Sequence, residues 1–161
     1  MTFSFPFYGE PWSSVWVNSN GNLTFGSGDS DFSETVNELL NDQPRIAPLW
    51  DDLSPNQGGE VEAEWGNGSL TIRWIGVPQF LAGDSNNFSV TLHSSGEIDI
   101  DYGNVDAVDG ISGTSAGGGV ANPGSSNLSS ASSWMQSGGA VYELFNSLNP
   151  FDLDNLLITF N

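Results

Sequence analysis

The residues best able to do chemistry in this sequence are carboxylates. Asp51-Asp52 closes the apolar run Ile46-Ala47-Pro48-Leu49-Trp50 and precedes Leu53-Ser54-Pro55, which sets two carboxylates at a strand-to-loop junction. Hard oxygen ligands grouped there, with Asp29 and Asp31 from the preceding loop, suit Ca²⁺. The competing reading is structural, since an aspartate in a turn accepts backbone N–H bonds. Two more acidic rows, Glu60, Glu62, Glu64 and Glu97, Asp99, Asp101, recur at every second residue. Paired carboxylates serve glycoside hydrolysis when they stand ~5–9.5 Å apart and one lies in an apolar setting. Alternation with apolar residues is also what any half-exposed strand requires, and that is the simpler account. His93 is the single histidine, which leaves little to build a hydrolytic triad on. Asp106, Asp109 and Gly110 do not make an EF-hand loop.

The other candidates are indoles. Six tryptophans, Trp12, Trp16, Trp50, Trp65, Trp74 and Trp134, are many for 161 residues. Aromatic faces stack on sugar rings, so a carbohydrate-binding role is open, with Trp12 and Trp134 in loops as its ligand-binding candidates. Trp65 and Trp74 share one face of a predicted hairpin and are expected in the core.

Charge narrows the partners. Twenty Asp and Glu stand against two arginines, Arg45 and Arg73, with no lysine, for a formal charge of −18. Such a surface repels phosphate backbones and anionic membranes, so nucleic acid is excluded as a partner. The repulsion is relieved by salt or by divalent cations, which points to a saline or calcium-bearing exterior. The absence of cysteine excludes thiol chemistry, disulfides and cysteine-bound zinc. No run approaches ~18 apolar residues, so no transmembrane helix is predicted. Met1-Thr2-Phe3-Ser4-Phe5 lacks the basic start of a signal peptide, so a secreted origin would make this a mature or excised piece with an added Met. Four sequons, at Asn22, Asn67, Asn87 and Asn127, are glycosylation acceptors only in a host that has the pathway.

The elements that must position these residues repeat with period two. Phe3/Phe5/Phe7, Leu70/Ile72/Trp74, Phe88/Val90/Leu92 and Ile98/Ile100/Tyr102 each alternate with small or polar residues. The pattern predicts an all-β, antiparallel, jelly-roll-like β-sandwich of roughly ten strands. One short helix is expected near 33–40, with Val36, Leu39 and Leu40 on a face and Asp31 or Ser33 as cap. Asn67-Gly68 is a two-residue hairpin turn that pairs Trp65 with Leu70, Ala63 with Ile72, Val61 with Trp74 and Glu62 with Arg73. A three-residue loop, Ser94 to Gly96, pairs Leu92 with Ile98 and Val90 with Ile100 and sets His93 against Glu97; a one-residue slip would drive Asp99 into the core. From about 112 to 139 the chain reads as a Gly/Ser-rich loop anchored by Trp134 and Met135. Apolar strands resume at 140–145 and 156–160, so 1–161 is expected to form a single domain.

Three motifs stand in order: Phe5-Pro6-Phe7-Tyr8-Gly9, then Val15-Trp16-Val17-Asn18-Ser19-Asn20-Gly21-Asn22-Leu23-Thr24-Phe25-Gly26, then Arg45-Ile46-Ala47-Pro48-Leu49-Trp50-Asp51-Asp52-Leu53. The set resembles the nidogen-like (NIDO) extracellular domain of bacterial and archaeal secreted proteins, and the likeness continues to Tyr142-Glu143-Leu144-Phe145. The resemblance implies a non-enzymatic, extracellular or cell-surface β-module used in adhesion or surface assembly, with no catalytic residues to carry over. An extracellular protein or glycan is then the expected partner. The alternatives are a lectin-like domain and a self-assembling filament or matrix subunit whose strands exchange or pair at their edges.

Overall fold

The structure is a computed structural model describing residues 1–161. Its strands, in chain order, are β1 (Phe5–Phe7), β2 (Glu10–Trp12), β3 (Trp16–Asn18) and β4 (Asn22–Thr24). After a short helix α1 (Val36–Asn41) come β5 (Arg45–Trp50), β6 (Glu60–Gly66), β7 (Ser69–Val77), β8 (Asn86–His93) and β9 (Ile98–Val105). The last are β10 (Gly110–Ser115), β11 (Ser133–Trp134), β12 (Ala140–Phe145) and β13 (Leu157–Phe160), which brings the count to 13 strands.

One sheet has the order β12-β10-β5-β4-β3, the second β11-β13-β9-β8-β7-β6, and β1 and β2 form a separate hairpin. The two large sheets bury their inner faces against each other, as period-two alternation requires. Leu23, Ile46, Leu49 and Phe145 of the first meet Ile72, Trp74, Val90, Ile100 and Phe160 of the second in a core of 25 buried residues. β6 to β9 run as a meander within one sheet. Jelly-roll-like alternation between sheets is confined to β9 through β13. The Phe-Pro-Phe motif closes one end of the core: Phe7 and Phe25 have ring centroids 4.9 Å apart, and Phe5 stacks on Phe25 at 5.8 Å.

Both predicted hairpin registers are present. β6 and β7 pair Trp65 with Leu70, Ala63 with Ile72 and Val61 with Trp74, around Gly68 at φ 76°. β8 and β9 pair Leu92 with Ile98 and Val90 with Ile100, and Gly96 takes φ 97° in the loop.

Three expectations are corrected. Helix α1 is capped by Thr35, whose Oγ1 accepts from the Glu38 N–H at 3.1 Å, and not by Asp31 or Ser33. Thr35-x-x-Glu38 is a capping box readable in the sequence. The Gly/Ser-rich stretch does not begin as a loop: Ser112 to Ser115 belong to β10, buried on both faces between β5 and β12. A strand covered on both sides needs no alternation, so its small residues gave no periodic signal. Finally, Trp65 is not a core residue. It shares its face with Trp74, yet Trp74 is fully buried while Trp65 is 52% exposed.

The first sheet is also covered on its outer side. Leu39 and Leu40 of α1 pack with Ala47, Trp50, Ile111, Ala140 and Tyr142 in a second buried cluster. β5 serves both clusters because its side chains point to both faces, Ile46 and Leu49 inward and Ala47 and Trp50 outward, and it bulges midway: Gly113 opposes Ala47 while Ile111 opposes Trp50, so Ser112 faces both Pro48 and Leu49. Proline is tolerated at such a break. The Pro48 carbonyl accepts from the Tyr102 hydroxyl at 2.6 Å and from Ser112 Oγ at 2.7 Å.

Candidate functional site

The second and third sequence motifs meet in one buried polar network. β4 and β5 pair Leu23 with Ile46 and Thr24 with Arg45. Arg45 is fully buried, with its guanidinium 3.7 Å above the Trp50 ring. It donates to Asn22 Oδ1 at 2.8 Å and forms an ion pair with Asp29. Asn18 bridges Asn22 and Thr24 at 2.8 and 3.0 Å. Gly21 is required where the loop crosses β5, because a Cβ there would lie 1.9 Å from the Leu49 carbonyl oxygen. These residues hold a loop against a sheet.

The four candidate calcium ligands fall into separate roles. Asp29 serves Arg45 and accepts the Asp31 N–H at 2.8 Å. Asp31 accepts the N–H and hydroxyl of Ser33 at 2.9 and 2.8 Å, and those bonds lower its pKa. Asp51 is buried and its pKa is pushed up to about 7, first by burial and then by the like charges of Glu34 and Asp109. Its two oxygens are committed, one to the Asp52 N–H at 2.7 Å and the other to Gln79 Nε2 at 2.6 Å. Asp52 follows on the strand end, half-buried, and its carbonyl accepts the Phe80 N–H at 2.7 Å. Burial likewise raises the Glu34 carboxyl, with Asp109, Asp52 and Glu38 adding to the effect.

The one trio of metal-capable side chains with ligand atoms all within 4.8 Å is instead His93, Glu97 and Asp99. His93 opposes Glu97 through the backbone, but its Nε2 meets Asp99 Oδ2 at 2.9 Å, in place of the expected side-chain pair with Glu97. The other Asp99 oxygen accepts from Thr159 at 2.6 Å. Gly113-Thr114-Ser115-Ala116-Gly117 has the Gly-x-Ser-x-Gly spacing of a hydrolase nucleophile. Ser115, however, is buried at the end of β10 with no helix after it, and its hydroxyl accepts the Gly117 N–H at 3.1 Å. The strand–turn–helix setting that the motif needs is missing.

Of the two candidate sugar-stacking residues, Trp12 lies on β2 and packs on Phe25 with centroids 5.3 Å apart. Trp134 lies on β11 and not in a loop; it donates its Nε1–H to the Leu128 and Ala131 carbonyls of the same Gly/Ser-rich segment at 3.3 and 3.2 Å, and the pairing of β11 with β13 joins the segment to the second sheet. The exposed indoles are others: Trp16 at 53% and Trp65 at 52%. Sequence reasoning missed them because a strand's pattern names a face without saying whether the opposite sheet reaches it.

Trp65 stands at an open edge. β3 ends the first sheet and β6 ends the second. Between them lies a groove of about 190 Å³ lined by Met1, Ser14, Val15, Val17, Ala63, Trp65, Leu70 and Ile72. Val17 is 43% exposed on one lip. Exposed apolar groups gathered on two free edges are the feature of this surface that most resembles a contact site.

A family model described as NIDO related matches residues 1–161, and the chain belongs to the nidogen-related family. Domains of this family are typically extracellular modules and are not known as enzymes. No match to the chain is found among curated proteins or among solved structures. No helix is long and apolar enough to cross a membrane.

Proposed function

We propose that this nidogen-related chain is a non-enzymatic adhesion or surface-assembly module that makes its contact through the open edge of the sandwich. The observation that carries the reading is Trp65, half exposed beside an apolar groove where both sheets end. An exposed indole over a groove is the kind of anchor that dominates protein contacts. Catalysis has less support, because Asp51, the carboxylate with the largest upward shift, has both oxygens bonded within the protein.

The test is attachment. Beads coated with the chain are expected to adhere to intact cells of its source, and Trp65→Ser with Val17→Ser is expected to abolish adhesion while leaving the melting temperature nearly unchanged. Equal adhesion by the variant would sink the reading. Binding on a glycan array that is lost with Trp16→Ala or Trp134→Ala would favour the lectin class instead.

A further inference from the structure

We propose that the outer edge of β6 accepts one added strand, supplied by a partner segment that alternates apolar with basic residues. The inference rests on the open edge being the contact surface, and it names the chemistry of the partner.

β6 pairs with β7 on one side and has no strand on the other. The backbone N–H and C=O groups along that free side are unpaired within the sheet, which is the requirement for strand addition. Its two side-chain rows differ sharply. Ala63 and Trp65 point to the groove they share with Val15, Val17, Leu70 and Ile72. At about 190 Å³ the groove is too small for a typical small-molecule site, since such sites run to about 300–1,000 Å³. It suits a few apolar side chains better than a ligand. Glu60, Glu62 and Glu64 occupy the opposite face, all exposed. Glu64 has an ion-pair partner in Arg73 at 2.7 Å, while Glu60 and Glu62 have none.

A strand laid beside β6 presents its residues with the same period of two. One row then continues the apolar face over the groove, and the other stands level with the glutamates. Burial favours Val, Ile or Leu in the first row and charge favours Lys or Arg in the second. A second copy of this chain is a poor occupant. It has no lysine, Arg45 is buried, Arg73 is already paired, and each copy carries −18. The partner is therefore a different, basic chain.

The probe is a capped peptide of alternating Val and Lys, matched in length to β6. Calorimetry is paired with amide hydrogen exchange on the intact protein. The Val/Lys peptide is expected to bind and to slow exchange at β6 amides. Peptides of Ser/Lys or Val/Glu are expected to bind at least about tenfold more weakly. Glu60→Lys with Glu62→Lys is expected to weaken the Val/Lys peptide by at least about tenfold and to improve Val/Glu. Equal binding of Ser/Lys, or an equal loss with Glu10→Lys and Asp101→Lys, would reduce the effect to diffuse attraction by an acidic protein and overturn the proposal. So would peptide binding without protection of β6, or light scattering that shows the edge already closed by a second copy. The bead assay separates the two readings. Strand addition without adhesion leaves the edge site standing and removes the adhesive role, whereas adhesion that needs Trp65 but no strand addition does the reverse.

Discussion

At Asp51 the folded protein holds a carboxyl near pKa 7 against an ordinary value of 3.8. The folded value is the higher one, so the native state binds this proton more tightly than the unfolded chain does. The associated stability is fully present below about pH 4 and is lost as pH rises through about 7. Asp51→Asn is therefore expected to match the wild type near pH 4 and to exceed it at pH 8, by on the order of 3–4 kcal/mol at most. Urea titrations at the two pH values check this, and an equal difference at both would remove burial as the cause. Arg45 makes the opposite case. Removing it strands Asp29 and empties the space over Trp50, so Arg45→Met is expected to cost about 3–5 kcal/mol in the same titration. Lysine should not restore the loss, because one ammonium cannot bridge Asn22 and Asp29 while lying flat on an indole. Asp31 is engaged by Ser33, two residues on, as an aspartate in a turn is expected to be, whereas the ion pair of Asp29 is not local. The cation that claims Asp29 lies 16 positions along the chain.

Among the elements, what could be read depended on whether an element faces water. β6 to β9 are half-exposed meander strands, and Asn67-Gly68 and Gly96 fix their turns, so the registers followed from local chemistry. β10 is covered on both faces and carries Gly and Ser where alternation would be sought. Gly113 shows why small residues are needed there: its φ is 137° and a Cβ would lie 2.2 Å from the Val141 carbonyl oxygen. Gly113→Ala is expected to abolish cooperative unfolding. Gly138→Ala, also at positive φ (82°) but with open space around it, is expected to cost only about 1 kcal/mol. Comparing their thermal melts separates close approach from backbone strain. The candidate edge was half legible. The hairpin register placed Trp65 on the inward face, but only the packing of the two sheets reveals that β6 projects past its cover.

For the whole molecule, 20 acids against two arginines leave a surface that works against its own compaction. Raising NaCl from ~0.1 to ~1 M shortens the screening length from about 10 to about 3 Å, and the melting temperature is expected to rise. Calcium chloride at matched ionic strength, set against EDTA, tests the calcium expectation: a larger rise than NaCl gives would mark a bound ion, and an equal rise would mark screening alone. Topology adds a constraint of another kind. β13 lies inside the second sheet, between β11 and β9, and delivers Ile158 and Phe160 to the core. Until those residues emerge, β9 has a bare edge and the sandwich lacks part of its filling. The sandwich is therefore complete only when this segment is in place. Loss of this one segment would therefore open the second sheet and the core together.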